Sequence, residues 1–132
     1  MLSRRRFAAC VLCATSGLLA TGSVVRAQGF TRTVVKRIDY PGSAHATIQV
    51  LVEVEPGAFI ARHTHSGVES ATIIEGGGTL QIDGEADRVL GAGDGFQVAP
   101  GVPHALRNGT AKTRVAAVYV VEKDKPLASP AG

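Results

Sequence analysis

Cysteine is missing from all but the start of this 132-residue chain, where Cys10 and Cys13 stand. Whatever folds from the remainder has no disulfide and no thiolate ligand. It must rest on its hydrophobic core, and any metal must be held by imidazole and carboxylate. Helical periodicity is missing too, since no stretch of useful length repeats apolar residues every 3.6 positions. A bilayer-spanning run is also lacking. The apolar stretch from Ala8 to about Ala20 is too short and too interrupted by Ser, Thr and Gly.

That stretch belongs to a segment with its own logic. A basic start, Ser3-Arg4-Arg5-Arg6-Phe7, leads into the apolar run, and Val25-Arg26-Ala27 places small residues around a cleavage point before Gln28. Residues 1–27 therefore read as an export signal and residues 28–132 as one domain. Ser-Arg-Arg-x-Phe is similar to the twin-arginine motif, which addresses folded proteins for export; an ordinary Sec signal holding three arginines is the alternative. Neither cysteine follows a full apolar run, which argues against a lipoprotein anchor. The expected location is periplasmic or secreted.

Removing the signal also removes the basic surplus. Four of the 14 basic residues (Arg4, Arg5, Arg6 and Arg26) lie in it, leaving ten against 11 acidic ones and a net charge near −1 rather than +3. No basic patch remains to suggest nucleic acid or an anionic membrane as a partner.

What is present from residue 33 onward is a series of short strands between glycine-rich turns. Thr33–Asp39 is β-branched. Ala46–Val54 alternates, with Ile48, Val50, Val52 and Val54 on one face. Pro56-Gly57 turns the chain into Ala58–His65, Val68–Ile74 follows, and Gly76-Gly77-Gly78 ends it. Thr79–Ile82 runs to Asp83-Gly84, a tight hairpin signal, and Asn108-Gly109 is another. Arg88–Leu90, Phe96–Ala99 and Ala105–Arg107 are brief. Thr113–Val121 is apolar on both faces, which predicts burial on both sides, within the domain or against a second subunit. Gln28–Thr31 and Lys123–Gly132 read as tails. Nine short strands at regular spacing predict an all-β sandwich or barrel.

The chemistry-bearing residues are few. His63 and His65 stand two apart, so on a strand they point the same way. Glu69 follows four residues later, after a turn at Ser66-Gly67, and His104 lies in the Pro100-Gly101-Val102-Pro103-His104 segment. Each alone is more often a solvated surface residue than a ligand; together they suit a first-row transition metal. His45, after Pro41-Gly42-Ser43, reads as a surface residue.

The run Gly57, five residues, His63, one, His65, three, Glu69, six, Gly76 resembles the first motif of the cupin superfamily at every marked position. Gly93, and then Gly101, two residues, His104, three, Asn108, resemble the second. The family usually has proline two before that glycine; here Ala99 stands there and Pro100 follows. The resemblance covers about Val50 to Tyr119. It implies a small single-domain jelly-roll β-barrel with one metal held by His63, His65, Glu69 and His104.

Four such donors leave two adjacent octahedral positions open. Mn or Fe suits the set best, with Ni or Zn as alternatives, and loading before twin-arginine export would favour Mn or Fe. Strand parity puts Phe59 and Ala61 with His63, Ala71 and Ile73 with Glu69, and Leu106 with His104, with Phe96 and Tyr119 as further lining residues. The wall so described is small, apolar and uncharged, fit for a small apolar or aromatic ligand. The leading expectation is a metal-dependent enzyme acting on a small molecule, dioxygenase-type chemistry first and lyase or isomerase chemistry next, with Glu69 as a base. A non-enzymatic metal- or small-ligand-binding module and a metal-free structural barrel are the other classes. A homodimer is expected, because a jelly roll leaves strand edges and an apolar outer face that favour cover.

Overall fold

The computed structural model describes Val24–Ala27 and residues 29–132. The expected export signal therefore lies outside the described residues except for Val24–Ala27. Every regular element described is a strand: β1 (Val24–Ala27), β2 (Phe30–Asp39), β3 (His45–Val54), β4 (Phe59–Thr64), β5 (Val68–Glu75), β6 (Gly77–Ile82), β7 (Arg88–Gly91), β8 (Gly95–Val98), β9 (His104–Asn108), β10 (Thr113–Glu122) and β11 (Ser129–Pro130). They form two antiparallel sheets, ordered β1-β2-β3-β10-β5-β8 and β11-β4-β9-β6-β7. This is an all-β jelly roll.

Alternation explains why these segments pair as they do. On β3 the residues Ala46, Ile48, Val50, Val52 and Val54 are buried, and on β10 Val115, Ala117, Tyr119 and Val121 are buried. The two strands share a ladder from Thr113↔Val54 to Glu122↔His45, so both apolar faces enter the same core. Each valine and isoleucine among them contributes about 1.5–3 kcal/mol of transfer free energy on burial. The sheets enclose a core completed by Ile60, Ile73, Leu80, Leu90, Val98 and Leu106.

Four expectations need correction. The second apolar face of β10 is not covered by any described residue of the domain: Ala116 and Val120 are exposed and Val118 only half-buried, on the outer side of a two-layer sandwich. Asn108-Gly109 makes no hairpin, since β9 and β10 belong to different sheets. Asn108 is instead an anchor, its amide donating to the carbonyls of Val54, Glu55 and Ala111 at 2.8–3.1 Å. The Asp83-Gly84 hairpin does form, but its loop runs to Asp87. Glu85 N–H bonds the Ile82 carbonyl at 3.0 Å, with Gly84 at φ 84°.

The tails are ordered too. Phe30 and Thr31 begin β2, and Phe30 packs on the core. At the other end β11 pairs with β4 through Ser129↔Thr64 and Pro130↔His63, and Leu127 packs on the core. Backbone hydrogen bonds hold β11, and these need no side-chain pattern that a sequence could display.

Candidate metal centre

β4 and β9 run side by side with His63 directly opposite His104. His65 stands one residue past the end of β4. Glu69 is the second residue of β5, opposite Tyr119 of β10. The turn at Ser66-Gly67 carries the chain from one sheet to the other, so the four side chains meet across the core. One donor atom from each of His63, His65, Glu69 and His104 lies within 4.8 Å of the others. His65, Glu69 and His104 are buried, and His63 is half-buried.

The imidazoles are oriented in a way that serves coordination. Nδ1 of His63 lies 2.8 Å from the Ala61 carbonyl, Nδ1 of His104 lies 3.0 Å from that of Val102, and Nδ1 of His65 meets that of Leu127. A carbonyl can only accept, so each Nδ1 carries the proton and each Nε2 presents a lone pair. Two of those lone pairs face the same acceptor, Glu69 Oε2, at 3.0 Å from His104 and 3.2 Å from His65. His65 Nε2 is buried with no hydrogen-bond partner. Lone pairs pointed at a carboxylate oxygen require a shared cation, either a proton or a metal ion. The donor set thus fits a divalent ion, and the Nδ1–H···O=C bonds are those that fix metal-binding histidines.

Tyr119 completes the cluster. Its buried hydroxyl donates to Glu69 Oε1 at 2.9 Å, so each Glu69 oxygen has a partner. Burial raises the Tyr119 pKa well above its ordinary value, and the Glu69 charge pushes it the same way. For Glu69, burial acts upward, but His104 and His65 outweigh it when they share a proton with its Oε2, and they hold the carboxyl below the usual range.

Burial, followed by the charges of His104, Arg32 and His65, lowers His63 to about 4, against a hydrogen bond to Ala61 that acts upward. The folded protein therefore binds fewer protons at His63 than the unfolded chain between the ordinary 6.5 and about 4, so stability is lost as pH falls through that window. The urea midpoint of the metal-free protein is expected to drop between pH 6.5 and 4, and His63→Gln to flatten the slope. Superimposable pH profiles for the two proteins would contradict this.

A narrow cavity of about 30 Å³ adjoins the cluster. Of the residues expected to line it, Phe96, Leu106 and Tyr119 do so, together with Ile60, Leu80 and Val52. Phe59 and Ala61 do not. A β-bulge between Ile60 and His63 shifts the register, so Ile60 turns inward while Phe59 lies outside beneath Arg107. Ile73 shares the inward face of Glu69 but sits in the packed core, outside the lining. His45 is exposed, as expected.

The wall is not uncharged. Arg32 of β2 lines the cavity, with a guanidinium nitrogen 3.3 Å from His63 Nε2. The signal for it was a lone arginine between Phe30 and Val34, two inward positions of one strand, so period 2 sends Arg32 inward as well.

The geometry agrees with comparisons to known proteins. No curated protein matches the chain in sequence. Among solved structures, the chain is similar to the DMSP lyase DddQ from Ruegeria pomeroyi (TM-score 0.70, 18% identity), with 84% of this chain and 61% of the lyase covered. KdgF from a Halomonas species gives a TM-score of 0.61 at 19% identity, over 77% of this chain and 90% of that protein. A cupin-like protein from Thermotoga maritima gives 0.61 at 25%, over 89% and 90%. The chain thus spans about three fifths of the lyase's length, and its likeness to the lyase and to KdgF is one of fold. The cupin-domain model matches residues 50–121, more than half of the chain and all four clustered donors, so the protein belongs to the cupin family.

Proposed function

We propose that this protein is an exported enzyme that holds one divalent transition-metal ion on His63, His65, Glu69 and His104 and acts on a small molecule. The observation that carries this reading is the clustering of His63, His65 and His104 with Glu69, the Nε2 atoms of His65 and His104 meeting its Oε2 and all three Nδ1 protons tied back to carbonyls. An ion held there, manganese or iron by preference and nickel or zinc otherwise, would polarise an oxygen of the bound molecule and lower its pKa. The chain's own residues do the rest. Ile60, Leu80, Phe96 and Leu106 keep water from the cavity, and Tyr119 orients Glu69.

A proton donor in hydrogen-bond contact with a buried carboxylate is the equipment of proton-transfer chemistry. The Tyr119–Glu69 pair therefore puts lyase or isomerase chemistry ahead of dioxygenase chemistry, the reverse of the order expected from sequence. That a DMSP lyase is built on this fold is consistent with it. The small enclosed volume beside the cluster favours the second reading, a non-enzymatic metal- or ligand-binding module.

The test is turnover of metal-loaded protein on small keto acids, catechols, β-diketones and flavonols, in an oxygen electrode and under anaerobic conditions. Product formed without oxygen is the expected result. Stoichiometric oxygen uptake would restore the dioxygenase reading, and an inert protein with full metal occupancy would support the binding module.

Export and assembly belong to the same proposal. The twin-arginine-like sequence supports a periplasmic or secreted location. Cleavage after Ala27 would remove β1 and leave β2 as the sheet edge. Next to that edge lies an apolar outer face formed by Val35, Leu51, Ala116 and Val118. Together they support a homodimer.

A further inference from the structure

Arg32 is the one charged side chain at the cavity that the metal-centre reading leaves without a task. Its Nε is fully buried and has no hydrogen-bond partner among the described residues. No carboxylate lies within ion-pairing distance of it. Glu69, the nearest acid along the cavity wall, is committed to His65, His104 and Tyr119. The guanidinium carbon lies 4.9 Å from the centre of the Phe30 ring, a cation–π contact, and one terminal nitrogen lies 3.3 Å from His63 Nε2, which leaves Nε as the buried donor without a partner.

Its position is also particular. Arg32, Ile60 and His63 line the inner cavity and, equally, an outer groove of about 280 Å³ rimmed by Phe30, Arg62 and Ala128–Pro130. Arg32 therefore stands where the groove meets the metal cluster. Arg32 as a whole is half-buried, but a buried N–H donor without a partner, on a cation without a counter-ion, is unfavourable. With a divalent ion on a set whose only protein anion is Glu69, the locale would carry a net charge near +2, which calls for an anion.

We propose that Arg32 is the specificity-determining residue for a small carboxylate ligand. Its fork grips the carboxylate while the organic remainder lies along the apolar groove walls at Phe30 and Ile60. Planar, bidentate pairing is what guanidinium offers carboxylates, and the groove admits a remainder of a few carbon atoms. This rests on the metal-centre reading for its net charge, but not for the unpartnered Nε of Arg32.

Calorimetric titration of the purified protein, metal-free and loaded with Mn(II) or Zn(II), tests it with propionate, propionamide and inorganic phosphate. Propionate is expected to bind about 10- to 100-fold more tightly than the neutral amide, from the charged hydrogen bonds alone. Phosphate should bind more weakly than propionate. R32Q should abolish the preference and R32K should retain part of it, while metal affinity does not fall, because a cation beside the ion has been removed. Equal binding of propionate and propionamide by the wild type, a preference that survives in R32Q, or phosphate binding as tight as propionate would overturn the proposal. The wild-type comparison decides even if R32Q does not fold. Failure of the metal-centre reading shows separately, as a flat metal isotherm, and the carboxylate comparison on the metal-free protein still reads Arg32.

Discussion

Replacing His104 with alanine is expected to lower affinity for a divalent transition metal by more than the roughly 10–100-fold that loss of a ligand's hydrogen-bond partner costs. The larger effect follows from where His104 stands. It is the donor on β9, opposite His63 in the β4–β9 ladder, and its Nε2 approaches Glu69 Oε2 at 3.0 Å. Without it the cluster keeps two imidazoles, which begin within three residues of each other, and one carboxylate. The side of the site that β9 supplies is then open. The fold should survive, because the His104 backbone remains in a ladder with Ile82 as well as His63. Far-ultraviolet circular dichroism checks that, and competitive titration with a chelator reads the affinity. His45→Ala serves as the control, since His45 is exposed at the start of β3 and outside the cluster. A His104→Ala protein that holds metal as the wild type does would remove His104 from the site.

The reason this cluster was legible in the sequence, while its surroundings were only partly so, is physical. His63 and His65 announce a shared face by their spacing, and Glu69 and His104 stand at intervals that the family motifs make recognisable. All four come together. The nine expected strands were visible because a two-layer sheet buries one face and leaves period 2 in the sequence. That same alternation failed at the Ile60–His63 bulge, where one extra residue exchanged Phe59 and Ala61 for Ile60. Nothing in a list of residues marks a bulge of this kind.

Other features escaped for different reasons. β11 is two residues long and is held by backbone pairing, yet Leu127 just before it supplies the carbonyl that orients His65. Asn108-Gly109 looks like a hairpin because its turn chemistry is right; what decides its fate is that β10 must leave for the other sheet, which is a long-range fact. Arg32 was overlooked because a charged residue on a strand is normally taken as solvated. Only the burial of Phe30 and Val34 on either side shows that this one points inward.

The turn that joins the two halves of the cluster should be the fold's most intolerant position. Gly67 lies between His65 and Glu69, buried against the backbone of β10. A Cβ at this position would fall 1.7 Å from the Val120 carbonyl oxygen and 3.0 Å from Val121 Cα. Both neighbours are main chain within a strand paired on each side, so neither can swing away as a side chain would. The Ser66 hydroxyl, accepting from Glu122 N–H at 3.0 Å, pins the same turn from the other flank. Gly67→Ala must therefore push the turn away from β10, at a cost at or above the roughly 1–3 kcal/mol typical of overpacking. In a domain of this size that corresponds to a melting temperature lower by about 10 °C or more. Because the displaced turn carries His65 on one side and Glu69 on the other, metal affinity should fall with stability, although no ligand has been changed. Gly109→Ala, where an added Cβ meets nothing within 4 Å, should leave both almost untouched. Thermal melts and metal titrations on the two variants measure this directly. A Gly67→Ala protein that melts with the wild type would show that the contact between the turn and β10 is looser than its geometry requires.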